Sequence, residues 1–249
     1  MHRPRALASG VLLALLLGAC GTSAPLVPTE TPRPTSVERC AGLRWTHVRD
    51  ALAAVDHYTY RGTDRIVFDP IPPGPASVVA DRTVDGAYQA PDRAREISAW
   101  AAGIDPMARL SEYPDFIMIG EHEWLRVTPS EDLWHNMPGR LALAAEGGAL
   151  DDVLVSLHAR APWSSGQLDP ARPTECVFTI ASATTPEGLH FEASLWADAT
   201  TLLPTSLAWV ELNDATGSVS TFERTIDPTG RAPIEPPDAD EIARETRVP

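Results

Sequence analysis

The chain has 249 residues, 43% hydrophobic and 22% charged, the balance of a folded globular protein and not of a disordered one. Its formal charge is -14, and its 20 basic side chains are all arginine, since the sequence contains no lysine. An acidic chain repels phosphate backbones and anionic headgroups, which argues against nucleic-acid binding and against a broad electrostatic grip on lipid. Any Lys-dependent chemistry is excluded.

At the N-terminus Arg3 and Arg5 form a short basic region, and Ala6 to Leu17 form an apolar run. A helix of that length spans about 18 Å, short of the roughly 30 Å hydrocarbon core, so the run reads as a secretory signal and not as a membrane span. Leu17-Gly18-Ala19 leads directly into Cys20. That order is similar to the bacterial lipobox, in which the cysteine sulfur receives a diacylglycerol and cleavage falls just before it. The resemblance implies that residues 1–19 are removed and that Cys20 anchors the chain at the extracytoplasmic face of the cell membrane. Two acyl chains hold stably where one holds only marginally. Cys40 and Cys176 remain as an even pair in an oxidising compartment, and a disulfide between them is expected. Residues 20–39 then form the lipidated cysteine and a Pro- and Thr-rich tether, which at about 3 Å per residue reaches roughly 50–60 Å when extended.

The folded domain is expected over residues 40–249. Val48, Ala51, Leu52 and Val55 recur at helical spacing. "YTYRGTDRIVF" alternates as a strand does, and "DPIPPGP" is a break. Two strands joined at Pro91-Asp92 follow, then a hairpin in "DFIMIGEHEWLRV" turning at Gly120-Glu121, and a short strand in "DLWHNMP". Leu150, Val153, Leu154 and Leu157 share one helical face, and Asp151 and Asp152 favour the dipole in the first turn. A Pro-rich loop spans residues 162–173. Four strands, "ECVFTIAS", "LHFEASLWAD", "TSLAWVEL" and "SVSTFERTI", close the domain with short polar turns between them. About ten strands and two helices make an α+β fold, mainly an antiparallel meander.

The C-terminal half has a Trp-containing strand, an Asp turn and Leu-Pro in "LWADATTLLP", then a strand, a polar hairpin and a last strand ending in "APIEPP". This pattern resembles the LolA/LolB-type lipoprotein carriers and the LppX/LprG-type lipoproteins, and "GEHEWLRVTPSEDLWHNMP" is similar to their middle hairpin. The resemblance implies a curved half-barrel, an unclosed sheet with helices over its concave side and an apolar cavity that takes acyl chains. Strand alternation supplies candidate lining residues: Tyr58, Tyr60, Ile66 and Phe68 on one strand, and Phe191, Ala193 and Leu195 on another. Ile117, Ile119, Leu125 and Val127 are matched across the hairpin, and Val153, Leu154 and Leu157 form the opposite wall. Each position fits an ordinary packed core equally well.

No nucleophile elbow, P-loop, dinucleotide fingerprint or zinc-protease motif occurs, so no catalytic residue, metal or cofactor is assigned and no enzyme activity is expected. "EHE", Glu121 to Glu123, reads as a solvated hairpin tip; Asp151 and Asp152 read as helix capping, and Asp238, Asp240 and Glu241 as a solvated tail. The expected function is a membrane-anchored exported lipoprotein that binds a lipid or acylated ligand, with transfer across the envelope as a further step. The alternative is an envelope sensor or interaction module of the RseB/MucB type, which requires an envelope protein partner and has no transport role.

Overall fold

Alternation of apolar and polar residues, clearest in the long strands, builds one antiparallel sheet of eleven strands. A computed structural model describes residues 39–68, 77–101, 115–126, 133–137, 148–185, 188–214 and 217–243. All of these belong to one unit, Pro34–Pro249. Residues 1–38, and with them Cys20 and nearly all of the tether, lie outside the described residues, as does Val127.

Helix α1, Trp45–Ala53, buries Val48 and Leu52 of the expected stripe together with Trp45, while Ala51 is half-buried and Val55 lies beyond the helix. Strands β1 (His57–Phe68), β2 (Ser77–Gln89), β3 (Arg93–Trp100), β4 (Asp115–Ile119), β5 (His122–Arg126) and β6 (His135–Asn136) follow. Helix α2, Gly148–Arg160, comes next, then β7 (Gln167–Asp169), β8 (Arg172–Thr184), β9 (Leu189–Asp198), β10 (Pro204–Asn213) and β11 (Ser218–Asp227). The short strand β7 falls inside the stretch expected to be a Pro-rich loop.

The strand order is β6-β5-β4-β3-β2-β1-β11-β10-β9-β8-β7. Two meanders therefore run outward, and the long pairing of β1 with β11, from Thr59 opposite Asp227 to Phe68 opposite Ser218, zips them together. Strands β6 and β7 stand at the two ends of this order and do not pair with each other, so the sheet is an open half-barrel and not a closed one. The chain must cross from one edge to the other between β6 and β7. Helix α2 lies in that crossover, and its Leu150, Leu154 and Leu157 pack in one core cluster with α1 and the inner face of the sheet.

Asp151 lies in the first turn of α2, as expected, and also bridges the helices: its carboxylate is buried and accepts from Arg49 of α1 at 2.7 and 2.9 Å. The C-terminal segment is not a solvated tail. Beyond β11, Ile234 is buried in a second cluster with Ala87, Ile117, Trp124 and Trp134 on the outer face. The Trp134 N–H donates to the Glu241 carbonyl at 2.7 Å, and the Ala243 N–H donates to the Trp134 carbonyl at 2.8 Å. Asp238, Asp240 and Glu241 still expose their side chains. Among the described residues, no helix is long and apolar enough to cross a membrane.

The expected disulfide is present: Cys40 and Cys176 are bonded across a separation of 136 residues, with Cys176 on β8. Closing so long a loop contributes about 4–5 kcal/mol by restricting the unfolded chain. It ties the segment before α1 to the far half of the sheet.

The β9–β10 turn is organised by Asp198, whose Oδ1 accepts the N–H groups of Thr200 and Thr201 at 2.9 and 2.7 Å and the Thr201 hydroxyl at 3.0 Å. Burial works to raise the Asp198 pKa, but these hydrogen bonds outweigh it and hold the carboxyl below its ordinary range. The resulting stability is complete above the unfolded pKa, about 3.9, and is lost as pH falls through the lower folded value. Asp198→Asn should flatten that acid-side loss in melts recorded from neutral pH downward. An unchanged acid limb would contradict this role.

Candidate functional site

The inner face of the half-barrel carries the residues expected to line a cavity. Tyr58, Tyr60, Leu125, Leu154, Leu157, Phe191 and Leu195 are all buried in one cluster, with Val153 packed partly against it. Ile66 lies on the same face of β1, and Phe68 closes that strand opposite Ser77 and Ser218. The register corrects one pairing. Leu125 stands opposite Phe116, whereas Ile117 stands opposite Trp124 and Ile119 opposite His122. Paired residues share a face, so Ile117 and Ile119 point to the outer cluster around Ile234 and away from Leu125. Glu123 is not at a solvated tip either: it pairs with Met118 and is buried.

Across the middle of this apolar face runs a row of another kind. Trp209, Phe222, Asp64, Arg82 and Trp100 are register neighbours on β10, β11, β1, β2 and β3. Asp64 is 1% exposed and Arg82 3% exposed, so neither charge is hydrated from outside. Burial of that depth requires pairing. Arg82 Nε donates to Asp64 Oδ2 at 2.8 Å, with its Nη2 at 2.6 Å from the same oxygen. Arg224, one row along on β11, donates from Nη1 to Asp64 Oδ1 at 2.5 Å. Tyr60 donates its hydroxyl to Glu96 Oε2 at 2.7 Å, and Glu96 lies 3.7 Å from Arg82. Two guanidiniums and two carboxylates thus balance in charge across β1, β2, β3 and β11.

The flanking rings complete the belt. The Arg82 guanidinium lies over Trp100 at 5.6 Å and that of Arg224 over Trp209 at 5.5 Å, while Trp209 stacks on Phe222 at 4.5 Å. Burial works against the Arg224 charge, but Asp64 more than compensates and its pKa is raised. Burial and then the Glu96 carboxylate push the Tyr60 hydroxyl well above its ordinary value, so it stays a hydrogen-bond donor. Close backbone approach makes room for this arrangement. A Cβ on Gly62 would meet the Arg224 Cδ at 2.7 Å, and one on Gly86 would meet the Tyr60 ring at 1.9 Å. At the rim, Arg160 at the end of α2 pairs with Glu211 of β10 and reaches over the Phe191 ring.

Asp64, Arg82, Glu96 and Arg224 were not singled out from the sequence. The available signal was a charge on the apolar phase of a strand, as in "YTYRGTD", where Asp64 falls in step with Tyr58 and Tyr60. Among the described residues no group of three His, Cys, Asp or Glu side chains is placed to hold a metal ion. Clefts of about 520 and 370 Å³ lined by described residues open where β1 begins and β2 ends and across β8 to β10, the second including Trp209 in its lining.

No family model matches this chain, and no curated protein matches it. Among solved structures, the crystal structure of a DUF1329 family protein from Desulfovibrio piger is similar at 10% sequence identity and a TM-score of 0.34. The match covers 80% of this chain and 96% of that one.

The belt predicts an asymmetric mutational response. Asp64→Ala leaves two buried arginines without their shared acceptor and should cost about 3–5 kcal/mol in denaturant unfolding. Replacing Asp64, Arg82, Glu96 and Arg224 together by Leu, Met, Gln and Met should recover most of that loss. A cost below about 1 kcal/mol for Asp64→Ala would mean that the charges are hydrated in the native state.

Proposed function

We propose that the chain is a lipid-anchored exported protein of the LolA/LppX-like kind, which binds a lipid or acylated molecule between helix α2 and the inner face of the half-barrel. The observation that carries the reading is the open sheet. Eleven strands end in two edges that do not meet, and the crossover segment bearing α2 lies over the inner face between them. An apolar face covered by a crossover, and not by a second sheet, offers a layer that can separate without breaking strand pairing.

The binding step is non-covalent. Acyl chains leave water or membrane for the surface formed by Tyr58, Tyr60, Phe191 and Leu195, at about 0.8 kcal/mol per buried CH₂. Leu154 and Leu157 move with α2 and close over the chains. The Asp64 belt runs across that surface, with its guanidiniums held by Asp64 and the Tyr60 hydroxyl held by Glu96. Cys20, carrying diacylglycerol, holds the protein at the outer face of the membrane, and the tether lets the half-barrel visit the bilayer.

A second reading draws on the packing. Tyr58, Leu154, Phe191 and Leu195 are each at most 2% exposed, so the inner face is packed by the protein's own side chains. A filled face suits a sensor of the RseB/MucB type, in which α2 or the outer face meets an envelope protein partner.

Organic extraction and mass spectrometry separate the two. The chain from Gly21 onward is exported behind a conventional cleavable signal, purified and extracted. The carrier reading expects a stoichiometric acyl lipid, displaced by a fluorescent fatty acid. A lipid-free protein that also fails to take up the fluorescent probe would overturn it and leave the sensor reading.

A further inference from the structure

A cleft of about 520 Å³, the size of a small-molecule site, opens where β1 begins and β2 ends. Its walls include Asp56, His57, Gln89 and Arg231 as polar groups, with Tyr88 and Pro233 as apolar surface. It shares Tyr88 with the inner-face cluster, but its polar side chains belong to the start of β1, the end of β2 and the segment after β11.

The local chain is built to present Arg231 there. Asp227, the last residue of β11, accepts the N–H and the hydroxyl of Thr229 at Oδ1, at 2.9 and 2.8 Å. Its carbonyl accepts the Gly230 N–H at 3.1 Å. These bonds turn the chain back toward β1, where Thr59 is the register partner of Asp227 and His57 lies two residues before it. Arg231 then donates from Nε to His57 Nε2 at 3.0 Å. The bond requires the imidazole proton on Nδ1 and fixes the guanidinium plane. The two terminal amino groups of Arg231 have no protein partner among the described residues. A fixed guanidinium edge with two free N–H donors is the geometry that grips a carboxylate or phosphate in bidentate fashion.

Charge narrows the ligand further. With a net charge of -14 the chain as a whole repels anions, so an oxyanion binds only where local geometry favours it. Asp56, on the same cleft and with its carbonyl fixed by the Ala90 N–H at 2.7 Å, adds a negative charge to the wall. A simple anion meets that repulsion. A molecule with both an oxyanion and an ammonium or hydroxyl donor satisfies the two side chains together.

We infer that this cleft binds a small bipolar phosphate, whose phosphate oxygens take Arg231 and whose ammonium or hydroxyl group meets Asp56. The chemistry is shared by a free phosphorylated amine and by the headgroup of a zwitterionic phospholipid.

The test uses the chain from Gly21 onward, exported behind a conventional cleavable signal and so free of its acyl anchor. Calorimetric titrations with phosphoethanolamine and with inorganic phosphate are run beside flotation with phosphatidylethanolamine vesicles and with vesicles of a phosphate-free glycolipid. We expect saturable binding of phosphoethanolamine, weakened at least about tenfold by Arg231→Gln and also weakened by Asp56→Asn. Inorganic phosphate should bind less tightly and should not be weakened by Asp56→Asn. Because Arg231 and Asp56 are both exposed, the variants should melt with the parent chain. Arg231-dependent flotation with the phosphatidylethanolamine vesicles alone would identify the headgroup as the source, and binding of the soluble probe would identify a free molecule. Failure of both probes, or binding that Arg231→Gln leaves intact, would overturn the proposal.

Discussion

The buried carboxylate of Asp64 is the constraint on which the architecture rests. It sits on β1, accepts Arg82 from β2 on one oxygen and Arg224 from β11 on the other, and is almost wholly removed from water. A charge so placed tolerates only one register. Shifting β11 by one residue against β1 would carry Arg224 to the outer face and leave Asp64 half paired inside a poorly hydrated layer. Hydrophobic alternation favours many near-equivalent sheets, whereas this triad specifies the seam at which the two meanders join.

From that seam the remaining features follow. Joining β1 to β11 puts β6 and β7 at opposite edges, so the chain between them has to cross the inner face. The helix in that crossover is held to α1 by the Arg49–Asp151 pair and to β10 by the Arg160–Glu211 pair, while its leucines cover the aromatic residues beneath. The outer face is covered differently. The segment beyond β11 presses Ile234 onto Ile117 and Trp124 and caps the short edge strand β6 through Trp134, which limits edge-to-edge pairing. One face is therefore closed by a crossover helix and the other by a strap.

How much of this was legible in the sequence depends on how local each signal is. The stripe of Val48 and Leu52 in α1 and the alternation in β8 to β11 lie within single elements, and period alone placed them. The cysteine pair was legible from its count. In "DFIMI" all four residues after Asp115 are apolar because β4 is covered on both faces, so the phase that sends Ile117 outward and Phe116 inward cannot be read from period. Asp64, Arg82 and Arg224 read as surface charges because their partners lie 18 and 160 residues away from Asp64. The same distance effect hid Ile234, whose neighbours belong to β2, β4 and β5. The Arg231 cleft depends on one contact across 174 residues, between elements that no local pattern connects.

The account treats the seam as the fixed part of the molecule and the crossover helix as the part that separates from it. Native-state amide hydrogen exchange resolved by residue tests that division most directly. The account predicts that Tyr60 to Ile66 and their β11 partners exchange only through global unfolding, whereas α2 opens with a lower free energy while those strands stay protected. If α2 and the β1–β11 seam exchanged with the same free energy in the native protein, the helix would be an inseparable part of the core, and the proposed route between it and the inner face would be closed.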